Sequence, residues 1–329
     1  MSLLAPTLQA FFTERLTGQK HASAHTIAAY RDTIRMLLAF AAQHSGKAPS
    51  DLDIDDLQAP LIGMFLDHLE HERGNTIRTR NARLAAIRAL FRYAALKHPE
   101  HAATIQRVLA IPTKRHDQAL VTFLTDHELE ALLAAPDQST WIGRRDHALI
   151  LLAAQTGLRA SELIGLACGD LRLGVGAHVS CLGKGRKQRI TPLTKQTITV
   201  MHAWTRERAG QPSDPLFATS TGRPLTRDAL ERRLTKHAAT AAAACPSLAA
   251  KTITPHVLRH TAAMRLLHAG VDTTVIALWL GHEQIQTTHI YLHADLAIKE
   301  KALAKTTPPT AKPGRYQPTD PVLAFLDAL

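Results

Sequence analysis

Apolar residues in this chain recur at alternating steps of three and four, a spacing that only a helix gathers onto one side. From Ser23, read as an N-cap, Ile27, Tyr30, Ile34, Leu37 and Ala41 form one such stripe. Arg31 and Arg35 stand one turn apart on another face. A second helix is expected through PLIGMFLDHLEHER, stopping at Gly74. A third, TIRTRNARLAAIRALFRYAALKH, turns Ile77, Leu84, Ile87 and Phe91 to the core and carries Arg78, Arg80, Arg83, Arg88 and Arg92 on its other faces. No acidic residue dilutes those five arginines, which favours phosphate contact over a merely solvated face.

The periodicity breaks around IPTKRHDQALVTF, where Pro112 and a polar, basic run predict a linker. Beyond it LTDHELEALLAAP opens a second helical unit, capped by Thr125 or Asp126, and RRDHALILLAAQTG is a strongly apolar helix ending at Gly157. HVSCLG and QRITPL flank a basic glycine turn and read as a β-hairpin. Helix resumes to about Lys305. The Pro- and Thr-rich remainder ends in VLAFLDAL, an apolar tip too short to be stable alone. The expected fold is mainly α with a small antiparallel β-sheet. Its expected divisions are a helical domain at 1–110, a linker at 111–118, a second domain at 119–305 and a tail at 306–329.

Lys and Arg outnumber Asp and Glu by 39 to 28 in 329 residues, a formal charge of +11 that favours a polyanionic partner. No apolar run approaches the roughly 18–20 residues of a spanning helix. The opening MSLLAPTLQAFFTERL reads as a first helix rather than a leader, so a cytoplasmic, nucleoid-associated protein is expected. Three scattered cysteines, with no HExxH and no Cys/His cluster, suggest neither disulfides nor a metal site.

The chemistry-bearing residues come in short motifs. TGLRASEL sets Arg159 just after a glycine break with Glu162 one turn on, and HVLRH sets His256 and Arg259 on one side of a helix. LGH puts His282 after another glycine break, with Tyr291 following in IYLH, and Lys184 sits at the hairpin tip in GKGRK. Two arginines, two histidines, a lysine and a tyrosine without a carboxylate cluster suit phosphoryl transfer in which side chains replace metal ions. Of the other tyrosines, Tyr30 and Tyr93 belong to apolar stripes and Tyr316 to the tail.

TGLRASELIGL, GKGRKQRITPL, TPHVLRHTAAMRLLHAG and LGHEQIQTTHIYLH resemble the sequence boxes of the tyrosine recombinases, close to the Xer recombinases and phage integrases. SAHTIAAYRDTIRMLLAFA and the arginine-rich helix after it resemble that family's core-binding domain. After LGH the family often shows small residues, whereas Glu283 and Gln284 follow here.

The resemblance implies a two-domain, C-shaped clamp on double-stranded DNA. Tyr291 is then the nucleophile, giving a 3′-phosphotyrosine, and Arg159 and Arg259 grip the non-bridging oxygens. His256 is the candidate general base, His282 donates to a phosphate oxygen, Lys184 protonates the leaving 5′-oxygen, and Glu162 orients the site. Arg31, Arg35, Arg78, Arg80, Arg83, Lys187 and Arg189 are candidate DNA contacts. No cofactor is implied. The working form is a tetramer on two DNA sites, with sister recombinases as further partners and VLAFLDAL docking on a neighbour. A type IB topoisomerase would use the same residues without choosing a site, and a catalytically idle DNA-binding regulator would lack the full set.

Overall fold

The computed structural model describes residues 4–115, 121–183 and 188–281, together with Thr288 and Tyr291. The chain divides into two compact units, Met1–Gln118 and Ala119–Leu329. It is mostly helical with one small antiparallel sheet, as the periodicity predicts.

The first unit contains α1 (Leu4–Ala10), continued by a wider π-helical stretch to Gln19, then α2 (Ala24–Ser45), α3 (Ala59–His71), α4 (Ile77–Lys97) and α5 (Ala102–Ala110). Ser23 caps α2 through its hydroxyl, which accepts from the Thr26 N–H. Ile34, Leu37 and Ala41 are buried, while Ile27 and Tyr30 pack at the edge of a smaller cluster around Phe11, Leu90 and Tyr93. Helix α3 stops before Gly74, because the Glu72 and Arg73 N–H groups both close on the His68 carbonyl and Asn75 reaches back to Leu69. In α4, Leu84, Ile87 and Phe91 are buried as expected, but Ile77, in the first turn, is exposed.

The arginines of α4 have different surroundings. Arg80 is only 5% exposed and donates to the Pro112 carbonyl at 3.0 Å. Arg88 donates to the Ile111 carbonyl, and Asn81 exchanges two hydrogen bonds with the backbone of Lys114. Lys114 in turn pairs with Glu70. Residues 111–114, expected to begin a linker, are therefore fastened along α4. Arg83 ties α4 to α2 through the Thr33 hydroxyl, 2.8 Å away, and the Ala29 carbonyl. Arg78 and Arg92 face solvent.

The second unit begins with α6 (Asp126–Ala134), whose start is closed by a capping box between Thr125 and Glu128. Next come α7 (Trp141–Thr156) and α8 (Ala160–Ile164), then β1 (Leu171–Arg172), β2 (His178–Leu182) and β3 (Gln188–Pro192). The strands pair antiparallel in that order, Ser180 opposite Ile190. The two longer strands are the predicted hairpin, and β1 adds a short edge. Helices α9 (Lys195–Arg208), α10 (Arg227–Ala242), α11 (Pro255–His268) and α12 (Thr273–Leu280) follow. A core around Leu132, Leu152, Trp204, Phe217 and Leu234 holds the unit together. Inside it Asp146, only 2% exposed, binds Arg145, Arg233 and His237. Among the described residues no helix is long and apolar enough to cross a membrane.

Candidate active site

Two helix ends organise the site. The last carbonyls of a helix have no partner within it and carry the negative end of the helix dipole. Helix α7 ends at Gly157 and α12 at Gly281, both left-handed at φ 64°. Arg259, on α11, donates to the Gly157 carbonyl at 2.6 Å and to the Leu280 carbonyl at 2.7 Å. Arg159, the residue that caps α8, donates to the Gly281 carbonyl at 2.9 Å. Both glycine breaks seen in the motifs are thus arginine supports. A Cβ on Gly157 would come within 2.5 Å of the Leu280 side chain, so no larger residue fits where the two helix ends meet.

Glu162 neutralises part of this charge. Its carboxylate accepts from the Arg159 side chain at 2.7 Å, the Arg159 backbone N–H at 2.8 Å and Arg189 at 2.8 Å. Burial would raise its pKa, but these donors outweigh burial and hold the carboxyl below the usual glutamate range. The guanidinia of Arg159 and Arg189 share this one carboxylate while Arg259 binds main-chain carbonyls, leaving the site electropositive. Burial first, then the like charge of Arg159, pulls Arg259 down to about 10, still protonated at neutral pH.

Tyr291 is 1% exposed and packs with Ala263, Met264, Ile276 and Leu280. Its hydroxyl shares a 3.0 Å hydrogen bond with Nδ1 of His260, and the two rings meet edge to face. Burial pushes the phenol up to about 12, with Arg259 pulling the other way. Burial, His256 and Arg259 bring His260 down to about 4, so both partners are neutral near pH 7. His256 lies exposed one turn before His260, with the two rings 6.3 Å apart. Desolvation, then Arg259, lowers its pKa as well. His260 was not singled out in the sequence, although its place four residues after His256 puts it on the same helix face.

Arg159, Glu162, Arg259 and Tyr291 are therefore brought together, with His256 beside them. Lys184, Lys187 and His282 lie outside the described residues, as does the tail after Tyr291. Among the candidate DNA contacts, Arg31 is exposed beside Asp32, and Arg35 and Arg78 are exposed. Arg80 is a correction: its guanidinium is buried against the Pro112 carbonyl rather than turned to phosphate. Arg83 is committed to α2, and Arg189 to Glu162 and the Leu280 carbonyl.

Residues 122–297 match the phage integrase family, and residues 10–98 match the phage integrase N-terminal SAM-like domain. The chain belongs to the phage integrase family. The protein y4rC of Sinorhizobium fredii, an integrase/recombinase by name, is 54% identical over 326 residues, covering 99% of this chain and 98% of that one. Tyrosine recombinase XerC of Pelobacter propionicus is 33% identical over 290 residues, covering 87% and 90%. Among solved structures, the XerH site-specific recombinase in its post-cleavage complex with a palindromic difH substrate superposes with a TM-score of 0.69 at 24% identity, covering 88% of this chain and 82% of that one. This tyrosine recombinase is accordingly an enzyme that cleaves and rejoins DNA at specific sites.

Proposed function

We propose that Tyr291 attacks the scissile phosphate of double-stranded DNA while Arg159 and Arg259 bind its non-bridging oxygens. The observation that carries this reading is the excess of guanidinium charge, fixed by helix-end carbonyls, beside a buried phenol. A pentacoordinate phosphorus gains negative charge, and paired guanidinium donors match its oxygens. As the phenol oxygen bonds to phosphorus, its O–H bond breaks and so does the bond from phosphorus to the 5′-oxygen. The products are a 3′-phosphotyrosine and a 5′-hydroxyl. His256 takes the phenol proton, Lys184 supplies one to the leaving oxygen, His282 donates to a phosphate oxygen and Glu162 orients the arginines. No metal or high-energy cofactor is needed, since the phosphotyrosine bond retains the energy for rejoining.

The contact with His260 belongs to the resting enzyme. Moving a proton from a phenol near 12 to an imidazole near 4 is uphill by on the order of 10 kcal/mol. Tyr291 must leave that contact to react.

Strand exchange between two duplexes needs four active sites, so the working form is a tetramer on two DNA sites. The substrate places its work on cytoplasmic DNA. Residues 1–110 and 119–305 serve as the core-binding and catalytic domains, and the apolar end of the 306–329 tail docks on a neighbouring copy.

The test uses a nicked duplex carrying a site selected from random DNA by rounds of binding, with EDTA throughout. A denaturation-resistant protein–DNA adduct is expected. Binding without an adduct would favour the idle regulator, or the need for a sister recombinase. Relaxation of supercoiled plasmids lacking the site would favour a topoisomerase.

Arg78 and Arg80, two residues apart, separate surface charge from structure. Arg78→Ala is expected to weaken DNA binding and lower the salt slope by about 1. Arg80→Ala should leave that slope unchanged and destabilise the first unit by about 1–3 kcal/mol. Binding titrations at several salt concentrations, with urea unfolding of each variant, check both.

A further inference from the structure

Arg189, on β3, stands apart from the residues given a chemical role above, yet it closes the ring of contacts around them. One terminal nitrogen lies 2.8 Å from Glu162 Oε2, and the other donates to the Leu280 carbonyl. That carboxylate also holds Arg159, and that carbonyl also holds Arg259. Among the described residues, Arg189 thus touches a support of each arginine. Its own side chain is only 10% exposed, whereas that of Arg159 is 30% exposed. Gly281 lies against this guanidinium: a Cβ there would stand 2.6 Å from an Arg189 terminal nitrogen.

We propose that Arg189 is a positioning residue. It spans Glu162 and the end of α12, and so sets the spacing of Arg159 and Arg259 before phosphate arrives. The proposal rests on the reading that those two arginines bind the scissile phosphate. A phosphate contact is the rival role, and the salt slope of DNA binding separates the two. Lysine cannot replace it, because a single ammonium cannot span two acceptors in fixed geometry. Without the bridge, Glu162 pairs with Arg159 alone, and the Leu280 carbonyl is left to Arg259. Misplacement of a catalytic group by about 1 Å costs roughly 100-fold in rate.

The experiment measures strand cleavage by wild type, Arg189→Gln and Arg189→Lys on nicked duplexes. One duplex carries an ordinary scissile phosphate and the other a neutral methylphosphonate. Arg259→Gln runs beside them, and the melting temperature and DNA-binding salt slope are recorded for each protein. Both Arg189 variants are expected to bind with an unchanged salt slope and to lose about 100-fold in cleavage of the phosphate. On the methylphosphonate, where there is less charge for misplaced arginines to neutralise, the deficit should shrink to within about 5-fold.

Should Arg189→Gln fail to fold, Arg189→Lys, which keeps the charge, carries the same comparison. A salt slope reduced by about 1 would make Arg189 a DNA contact and overturn the proposal. A cleavage deficit equal on both substrates, or no deficit, would overturn it too. Arg259→Gln reports on the underlying reading separately: if it cleaves the phosphate as well as wild type, the assignment of the phosphate-binding arginines is wrong.

Discussion

Tyr291→Phe is expected to bind its DNA site with unchanged affinity and to form no covalent adduct, a loss on the order of 10⁴-fold or more in cleavage. The substitution removes one oxygen and keeps the ring that packs among Ala263, Met264, Ile276 and Leu280. The lost hydrogen bond to His260 should cost about 1 kcal/mol. Stability and chemistry are thereby separated: a small shift in unfolding accompanies a complete loss of the adduct. Denaturing electrophoresis of the reaction on the nicked duplex reads the adduct directly. An adduct that persists in Tyr291→Phe would place the nucleophile on another residue.

The largest expected stability effect lies away from the chemistry. Arg145 is fully buried, and its Nε and one terminal nitrogen both bind Asp146 Oδ1, at 3.0 and 2.6 Å. The other Asp146 oxygen meets Arg233 at 3.0 Å and His237 at 2.8 Å. Asp146→Ala would leave the buried Arg145 guanidinium with the Ala218 carbonyl as its remaining hydrogen-bond acceptor and the Trp141 ring 5.6 Å away. The expected cost is about 3–5 kcal/mol, equivalent to roughly 6–20 °C in the Tm of the second unit. Arg145→Met combined with Asp146→Leu should cost less than Asp146→Ala alone, because the fully buried guanidinium is removed with its carboxylate and, of the two arginines, only the more exposed Arg233 loses its partner. Burial by itself would raise the Asp146 pKa, but His237, Arg145 and Arg233 hold it below the usual aspartate range. Its contribution is therefore complete above the unfolded-state pKa and is lost as pH falls through and below that range. Calorimetry of the three proteins across pH tests both statements, and a loss under 1 kcal/mol for Asp146→Ala would contradict them.

The clustering of Arg159, His256 and Arg259 was legible because each sits in a short motif whose neighbours have their own backbone duties. Gly157 and Gly281 end helices, and Thr254 caps the helix that carries His256 and Arg259. The fate of the basic residues was not legible in the same way. Arg78 and Arg80 look equivalent in TIRTR, yet Arg80 is buried because the distant segment 111–114 folds back onto α4. Arg189 looked like one more basic residue of a hairpin, and its contacts depend on where α12 ends, some ninety positions later. Local patterns report helix faces and turns. They do not report which carbonyl from far along the chain meets a given guanidinium.

That the arginines rest on main-chain oxygens has a consequence for how this enzyme tolerates mutation. A carboxylate partner can be deleted by a single codon change, but a peptide carbonyl is present whatever residue occupies the position. The exposed side chains of α12, such as Val275 and Leu278, are thus free to drift toward new interaction surfaces while the oxygens at its end keep holding the same guanidinia. Intolerance should concentrate at Gly157 and Gly281, whose backbone geometry aims those oxygens.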